Sequence, residues 1–425
     1  HKESGEVPVT VAQQNDVNAV GRVHLEATPG ALTAGESTVL SVTLKDRYNN
    51  PVTGLSGGDL IIIKDLFVDE EVTGLSWRET GSGIYTSSAL MMKLAGTHSL
   101  QAKVVTNIGE YDDSATIQVN HPSGSRYVKQ VEFKVPAEFN AGEEVTAEVT
   151  IKDEYGNGVA GVAEAITLTE GAYVLNINFR TTDTVGVYKG MLTLTKAGEH
   201  LLKVTISEAN ETKLVKVNPL AAAALYLKSI SAGASVGENT VVTVRLTDRF
   251  GNGVSGFAAD IRLSDDREDL SDIRFRPSSV EGEYEATVLL TRGALQHTMT
   301  ATMIYGVDQF NSTKSWWVDV PSGSRHVVGF SIDDLQQRAG SNQQADILVS
   351  VRDRYDNHVR LNASDFTISS SLDGQLPVSL RVAGSGTTAQ YSLTIISLSP
   401  GRHTLTLTLN GISETREIDI IPAGG

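Results

Sequence analysis

Glu144-Val145-Thr146-Ala147-Glu148-Val149-Thr150-Ile151-Lys152, running into Asp153-Glu154-Tyr155-Gly156-Asn157, alternates apolar and polar side chains without a break. A period of two puts Val145, Ala147, Val149 and Ile151 on one face, the pattern of a strand that buries one side. The same pattern occurs four times in 425 residues. Ala34-Gly35-Glu36 leads to Asp46-Arg47-Tyr48-Asn49-Asn50, and Ala141-Gly142-Glu143 leads to Asp153 and Asn157. Val236-Gly237-Glu238 leads to Asp248-Arg249-Phe250-Gly251-Asn252, and Ala339-Gly340-Ser341 to Asp353-Arg354-Tyr355-Asp356-Asn357. The register is the same each time: Leu40, Val42 and Leu44, then Val242, Val244 and Leu246, then Ala345, Ile347, Val349 and Val351 share the inward face. A slip of one residue would expose all of them. The motif Asp residues stand 107, 95 and 105 residues apart, the size of one small sandwich and too long for a solenoid repeat.

A second block follows each Asp by 35 to 39 residues and centres on Tyr85, Tyr188, Tyr284 and Tyr391. Each Tyr opens another alternating strand, and a His follows 12 or 13 residues later, at His98, His200, His297 and His403. Gly96, Gly198, Gly293 and Gly401 are expected to supply the intervening turn. Asn410-Gly411 reads as a tight hairpin into a last strand over 413–420. With no long segment of period 3.6, the fold class is all-β: four tandem immunoglobulin-like β-sandwich domains over 21–120, 126–218, 224–320 and 325–425. Residues 1–20, where Val7, Val9 and Val11 alternate, read as the end of a preceding domain or a linker.

The joints are short. Pro122-Ser123-Gly124-Ser125-Arg126 and Pro321-Ser322-Gly323-Ser324-Arg325 are the same pentapeptide, and Pro219-Leu220 with Ala221 to Ala224 forms the middle joint. Linkers this short, each holding a Pro, leave little freedom, so an elongated semi-rigid rod is expected.

Composition narrows the function. The 35 Lys plus Arg against 51 Asp plus Glu give a net charge of -16, which repels a phosphate backbone and argues against nucleic acid. No apolar run approaches the roughly 18 residues of a membrane helix, so no membrane insertion is expected in this segment. The absence of Cys removes disulfides, thiolate zinc sites and Cys nucleophiles. The chain opens on His1 with no signal-peptide pattern, as a fragment or processed chain would.

Repetition itself argues against catalysis, because a reaction needs one site and a fold needs the same residue in every copy. The four His are read as closing one end of each sandwich. The four Tyr are read as core rings whose hydroxyls return to backbone, in the manner of a tyrosine corner. The motif Asp and Asn are read as turn residues in preference to calcium ligands, which would need more convergent carboxylates. Asp265-Asp266-Arg267-Glu268-Asp269 with Asp272 reads as a solvated loop. Trp316-Trp317 must point one ring in and one out, and the pair is read as a filler at a domain joint, with a sugar platform as the other reading. No phosphate loop, GxSxG or HExxH is present. No catalytic, metal or cofactor residue is assigned, the chain is not expected to be an enzyme, and binding residues are left unassigned.

The Ala-Gly-Glu opening, the run Asp153 to Val159 and the Gly-x-Tyr strand resemble the bacterial Ig-like repeats of the intimin and invasin family of enterobacterial adhesins, over all four units. The resemblance implies a monomeric extracellular stalk or adhesive segment of a Gram-negative surface protein. Its anchor would be an outer-membrane β-barrel in an N-terminal region missing here, and its partner a host cell-surface or matrix protein or a glycan. The disulfide-bearing lectin-like tip of intimin and invasin is missing, so no receptor-contact residue carries over. The fourth unit departs from the pattern, with Asp356-Asn357-His358 in place of Gly-Asn-Gly and no Gly two residues before Tyr391. The reading from another class is a carbohydrate-binding accessory array on a secreted enzyme.

Overall fold

The computed structural model describes residues 15–56, 60–231, 233–270, 272–337, 344–382 and 390–421. Val7, Val9 and Val11, and the Ala339-Gly340-Ser341 copy of the opening motif, lie outside the described residues. The chain divides into two compact units, His1–Asn218 and Pro219–Gly425, each holding two Ig-like sandwiches.

The first sandwich sets the pattern. Its strands are β1 Arg22–Thr28, β2 Ala31–Thr33, β3 Ser37–Lys45, β4 Ile61–Asp65, β5 Glu70–Glu71, β6 Trp77–Gly81, β7 Ile84–Ser87, β8 Leu90–Met91, β9 Gly96–Thr106 and β10 Gly109–Asn120. One sheet runs β1-β3-β7-β6 with β8 beside β3, and the other runs β2-β10-β9-β4-β5. The alternation in β3 sends Leu40, Val42 and Leu44 into the core with no exposed surface, each burial worth ~1.5–3 kcal/mol. Tyr85 from β7 and Leu100, Ala102 and Val104 from β9 meet them there. Val17, Ala19 and Val20, ahead of the first strand, pack on the same core.

The second sandwich repeats both sheets, with Glu144–Lys152 in the place of β3 and Val187–Thr193 in the place of β7. The pentapeptide ahead of it is tied to it by two main-chain bonds: the Ala160 amide donates to the Pro122 carbonyl (2.8 Å) and the Gly124 amide to the Ala160 carbonyl (3.0 Å).

In the second unit, Asn239–Thr247 and Gln344–Arg352 take the place of β3, and Glu283–Leu289 and Gln390–Ile396 that of β7. The Pro321 pentapeptide is held as its twin is, through Arg360 to Pro321 (2.8 Å) and Gly323 to Arg360 (2.9 Å). Asn410 and Gly411 both have positive φ and join Gly401–Leu409 to Ile412–Ile420 in the two-residue turn that the sequence implies.

Three expectations need correction. Gly293 is not the turn residue of the third sandwich: positive φ falls on Ala294, whereas Gly96, Gly198 and Gly401 each carry it two residues before their His. The acidic run is a solvated loop only in part, with Asp266, Arg267, Asp269 and Asp272 exposed. The Asp265 side chain is buried against His297, and the Glu268 carboxylate accepts the amides of Thr291 and Arg292 at 2.8 to 2.9 Å. Trp316 packs on the core of its own sandwich while Trp317 is 60% exposed, so this Trp does not fill a joint.

Candidate functional site at the joints between sandwiches

The motif hairpin is wired from its first residue. Asp153 Oδ1 accepts the amides of Tyr155 (2.9 Å) and Asn157 (2.8 Å), and Oδ2 accepts from Asn157 Nδ2 (2.8 Å). Asp46, Asp248 and Asp353 make the same set. A short carboxylate at a strand end thus satisfies the donors that a tight turn leaves over. At Asp46 the bond from the Asn50 side chain, with the Asn50 and Tyr48 amides behind it, holds the carboxyl below the usual range against the opposing effect of burial. At Asp248 burial pushes the carboxyl up, and the bonds from the Asn252 side chain and from the Leu220, Asn252 and Phe250 amides outweigh it, leaving it low. Among the described residues no cluster of three or more His, Asp or Glu is placed to hold a metal ion.

The turn reading of the Asn is incomplete, because in two copies this side chain reaches into the sandwich before it. Asn157 Nδ2 donates to the Lys93 carbonyl (2.8 Å) and its Oδ1 accepts the Ala95 amide (2.8 Å). Asn357 does the same in the second unit, donating to the Thr291 carbonyl (2.7 Å) and accepting the Gly293 amide (3.0 Å). The loop it grips, just ahead of β9 or its equivalent, is here the corner loop.

The aromatic residue of the motif adds a second contact. A Cβ on Gly35 would lie 3.2 Å from Tyr155 Cε2, and one on Gly237 would lie 3.5 Å from Tyr355 Cε2, so each ring lies against the glycine of the preceding copy's opening motif. Both glycines also hold positive φ. Tyr355 packs against the third core, and the Tyr155 hydroxyl reaches Met91 Sδ at 3.6 Å. The two repeated motifs therefore meet, one from each sandwich. The ion pairs at the second unit's joint, Arg360 with Asp319 and Arg325 with Glu238, are 3.5 Å long and exposed, so they contribute little.

The corner loop is in turn fixed by the His. His98 Nε2 donates to the Leu94 carbonyl (2.8 Å), His200 to Lys196 (2.8 Å), His297 to Arg292 (2.7 Å) and His403 to Ser399 (2.6 Å). The bonded carbonyl lies between the two groups that the Asn grips. This is the tyrosine-corner position, near the start of the strand and two residues before a core side chain, and it is held by His. The expectation that Tyr plays that part is therefore corrected in place though not in kind. Tyr85, Tyr188, Tyr284 and Tyr391 sit on the partner strand of β3, and each hydroxyl donates to the carbonyl of Val52, Val159, Val254 or Val359 at 2.5 to 3.1 Å.

Sequence reasoning missed the groups on the other side of the His rings. Nδ1 meets Asp65 Oδ2 (2.6 Å), Glu170 Oε1 (2.6 Å), Asp265 Oδ1 (3.0 Å) and, in the fourth sandwich, the Ser370 hydroxyl (2.7 Å). They precede their His by 33, 30, 32 and 33 residues, a recurrence that could have been found from the sequence. The residues brought together are thus Asp, Tyr and Asn of one sandwich with Gly and the His-braced loop of the one before. Trp316 and Trp317 take no part, whereas Asp265 and Glu268 of the acidic run brace the loop that Asn357 grips.

No family model matches the chain. It is 22% identical over 449 residues to the inverse autotransporter adhesin YeeJ of Escherichia coli K12, an alignment covering 98% of this chain and 18% of that protein. The chain therefore spans less than a fifth of the length of this relative. The solved structure of FdeC, an Escherichia coli adhesin, is 20% identical and covers 73% of this chain and 99% of its own, with a TM-score of 0.39. The full ectodomain of mouse nectin-like molecule 4 is 11% identical, covers 68% of this chain and 97% of its own, and has a TM-score of 0.31. The resemblance to Ig-like repeats of adhesins read from the motifs is borne out by the first of these similarities.

Proposed function

We propose that this chain is a stalk or adhesive segment of a Gram-negative surface adhesin that mediates attachment to host cells or matrix, and that it is not an enzyme. Its sandwiches span 21–120, 126–218, 224–320 and 325–425, it is a monomer, and an N-terminal region outside it supplies the anchor in the outer membrane. The observation that carries this reading is the similarity to an inverse autotransporter adhesin along 98% of the chain. The motif geometry supports it, because the repeated Asp, Asn, Tyr and His are spent on turns, corners and joints, leaving none of them free for turnover. The test is deletion of this segment from the bacterial protein, with surface display checked by antibody. Attachment to epithelial cells or matrix-coated surfaces should fall, and unchanged attachment would overturn the reading.

One observation favours a second reading, a sugar-binding array. The exposed ring of Trp317 stands at one end of an outward row where Thr298 pairs with Ser315 (3.1 Å) and Thr300 with Thr313 (2.9 Å) through hydroxyls. Glycan-array binding that vanishes in Trp317→Ala would favour it. Trp316→Ala would instead open a gap beside the core.

A further inference from the structure

The first sandwich builds the same hairpin and leaves it open. Asp46 binds the Tyr48 and Asn50 amides and the Asn50 side chain as its counterparts do. The Arg47 guanidinium lies 4.7 Å over the Tyr48 ring, as Arg354 lies 4.6 Å over Tyr355 at a closed joint. Yet Tyr48 is 69% exposed and Asn50 is exposed, whereas Tyr155 and Tyr355 are half-buried and Asn157 is buried. Among the described residues Asn50 bonds only within its own hairpin.

We infer that the Asp46–Asn50 hairpin is the docking face for a further Ig-like sandwich, one whose corner loop offers a main-chain carbonyl and, two residues later, a main-chain N–H. The warrant is continuity with the two joints already described, where the same residues in the same conformation grip those two groups. A second copy of this chain docking head to tail is not the occupant. In the fourth sandwich the carbonyl bound by His403 belongs to Ser399, which places Leu398 and Pro400 at the gripping positions, and proline has no N–H to give. The inference rests on the joints and is independent of whether the chain adheres to anything.

The test extends the full chain by placing a second copy of residues 20–123 directly ahead of Asp16, and reads amide exchange at Ala95 in the added copy. That amide should exchange roughly tenfold or more slowly than an exposed loop amide, matching the original Ala95 against Asn157. Asn50→Ala should abolish the protection in the added copy and leave the original Ala95 unchanged. Tyr48→Ser, which alters only an exposed ring, should weaken it and guards against a folding defect in the first variant. Fast exchange in the added copy with Asn50 and Tyr48 intact would overturn the inference. So would concentration-dependent association of the unextended chain that disappears in Asn50→Ala, which would make the occupant a second copy.

Discussion

Asn157 Nδ2 lies 2.8 Å from the carbonyl of Lys93, and the two residues belong to different sandwiches. The same amide returns 2.8 Å to Asp153, so one side chain closes its own turn and fastens the sandwich before it.

Asn157→Ala should therefore loosen the joint and spare both cores. It removes two hydrogen bonds across the boundary and leaves the Ala95 N–H and Lys93 C=O to water, a change of about 1–3 kcal/mol at the joint. Exchange of the Ala95 amide should accelerate roughly tenfold or more, while amides of β9 keep their protection. Asn157→Asp should be worse, because a carboxylate oxygen would then face the Lys93 carbonyl and the Asp153 carboxylate.

Replacing the corner His should have unequal effects in two sandwiches. His98→Leu strands the buried Asp65 carboxylate and should cost about 3–5 kcal/mol of the first sandwich, and His98→Leu with Asp65→Leu should recover much of it. His403→Leu strands mainly a serine hydroxyl and should cost about 1–3 kcal/mol. Urea melts read sandwich by sandwich through peptide-resolved exchange would check the order.

Alkali should attack all four sandwiches through their tyrosines. Burial pushes the hydroxyls of Tyr85, Tyr188, Tyr284 and Tyr391 above their ordinary range, only partly offset by the Leu55, Val162, Phe257 and Leu361 amides that donate to them. A raised folded value means that the stabilisation is complete below the unfolded tyrosine value near pH 10 and is lost as pH rises beyond it. Denaturation midpoints should be flat from neutrality to about pH 9.5 and fall above it. In Tyr188→Phe the second sandwich should start less stable but slope less.

Gly158→Ala should destabilise the second sandwich strongly. Its Cβ would lie 2.0 Å from the Val185 carbonyl oxygen, and a Cβ on Gly186 would lie 2.4 Å from Gly158 Cα. Backbone meets backbone there, so nothing flexible can yield. A drop in midpoint confined to the second sandwich is expected; an unchanged melt would contradict the close approach.

That contact also explains what the sequence could and could not tell. Gly-x-Tyr recurs because the residue after the motif Asn presses on the residue before the Tyr strand, as Gly253 and Gly282 repeat at 2.1 to 2.3 Å. In the fourth sandwich His358 stands at the Gly158 position, buried and 5.3 Å from the Tyr391 ring. The strands were legible because alternation reports burial directly, residue by residue. The partners of His98, His200 and His297 were not, because an acid at the end of one strand looks solvated until the neighbouring strand is laid beside it. The second pair of bonds made by Asn157 and Asn357 was the least legible part. Their partners are peptide groups, which every position carries and no letter distinguishes.

The grip on peptide groups has an evolutionary consequence. Lys93-Leu94-Ala95 and Thr291-Arg292-Gly293 share no residue, yet both accept the same clasp. Beyond the Tyr–Gly contact that both joints share, selection need only preserve an asparagine on one side and avoid proline on the other, so modules of this kind can be duplicated, lost or reshuffled within the gene with little co-adaptation of their neighbours.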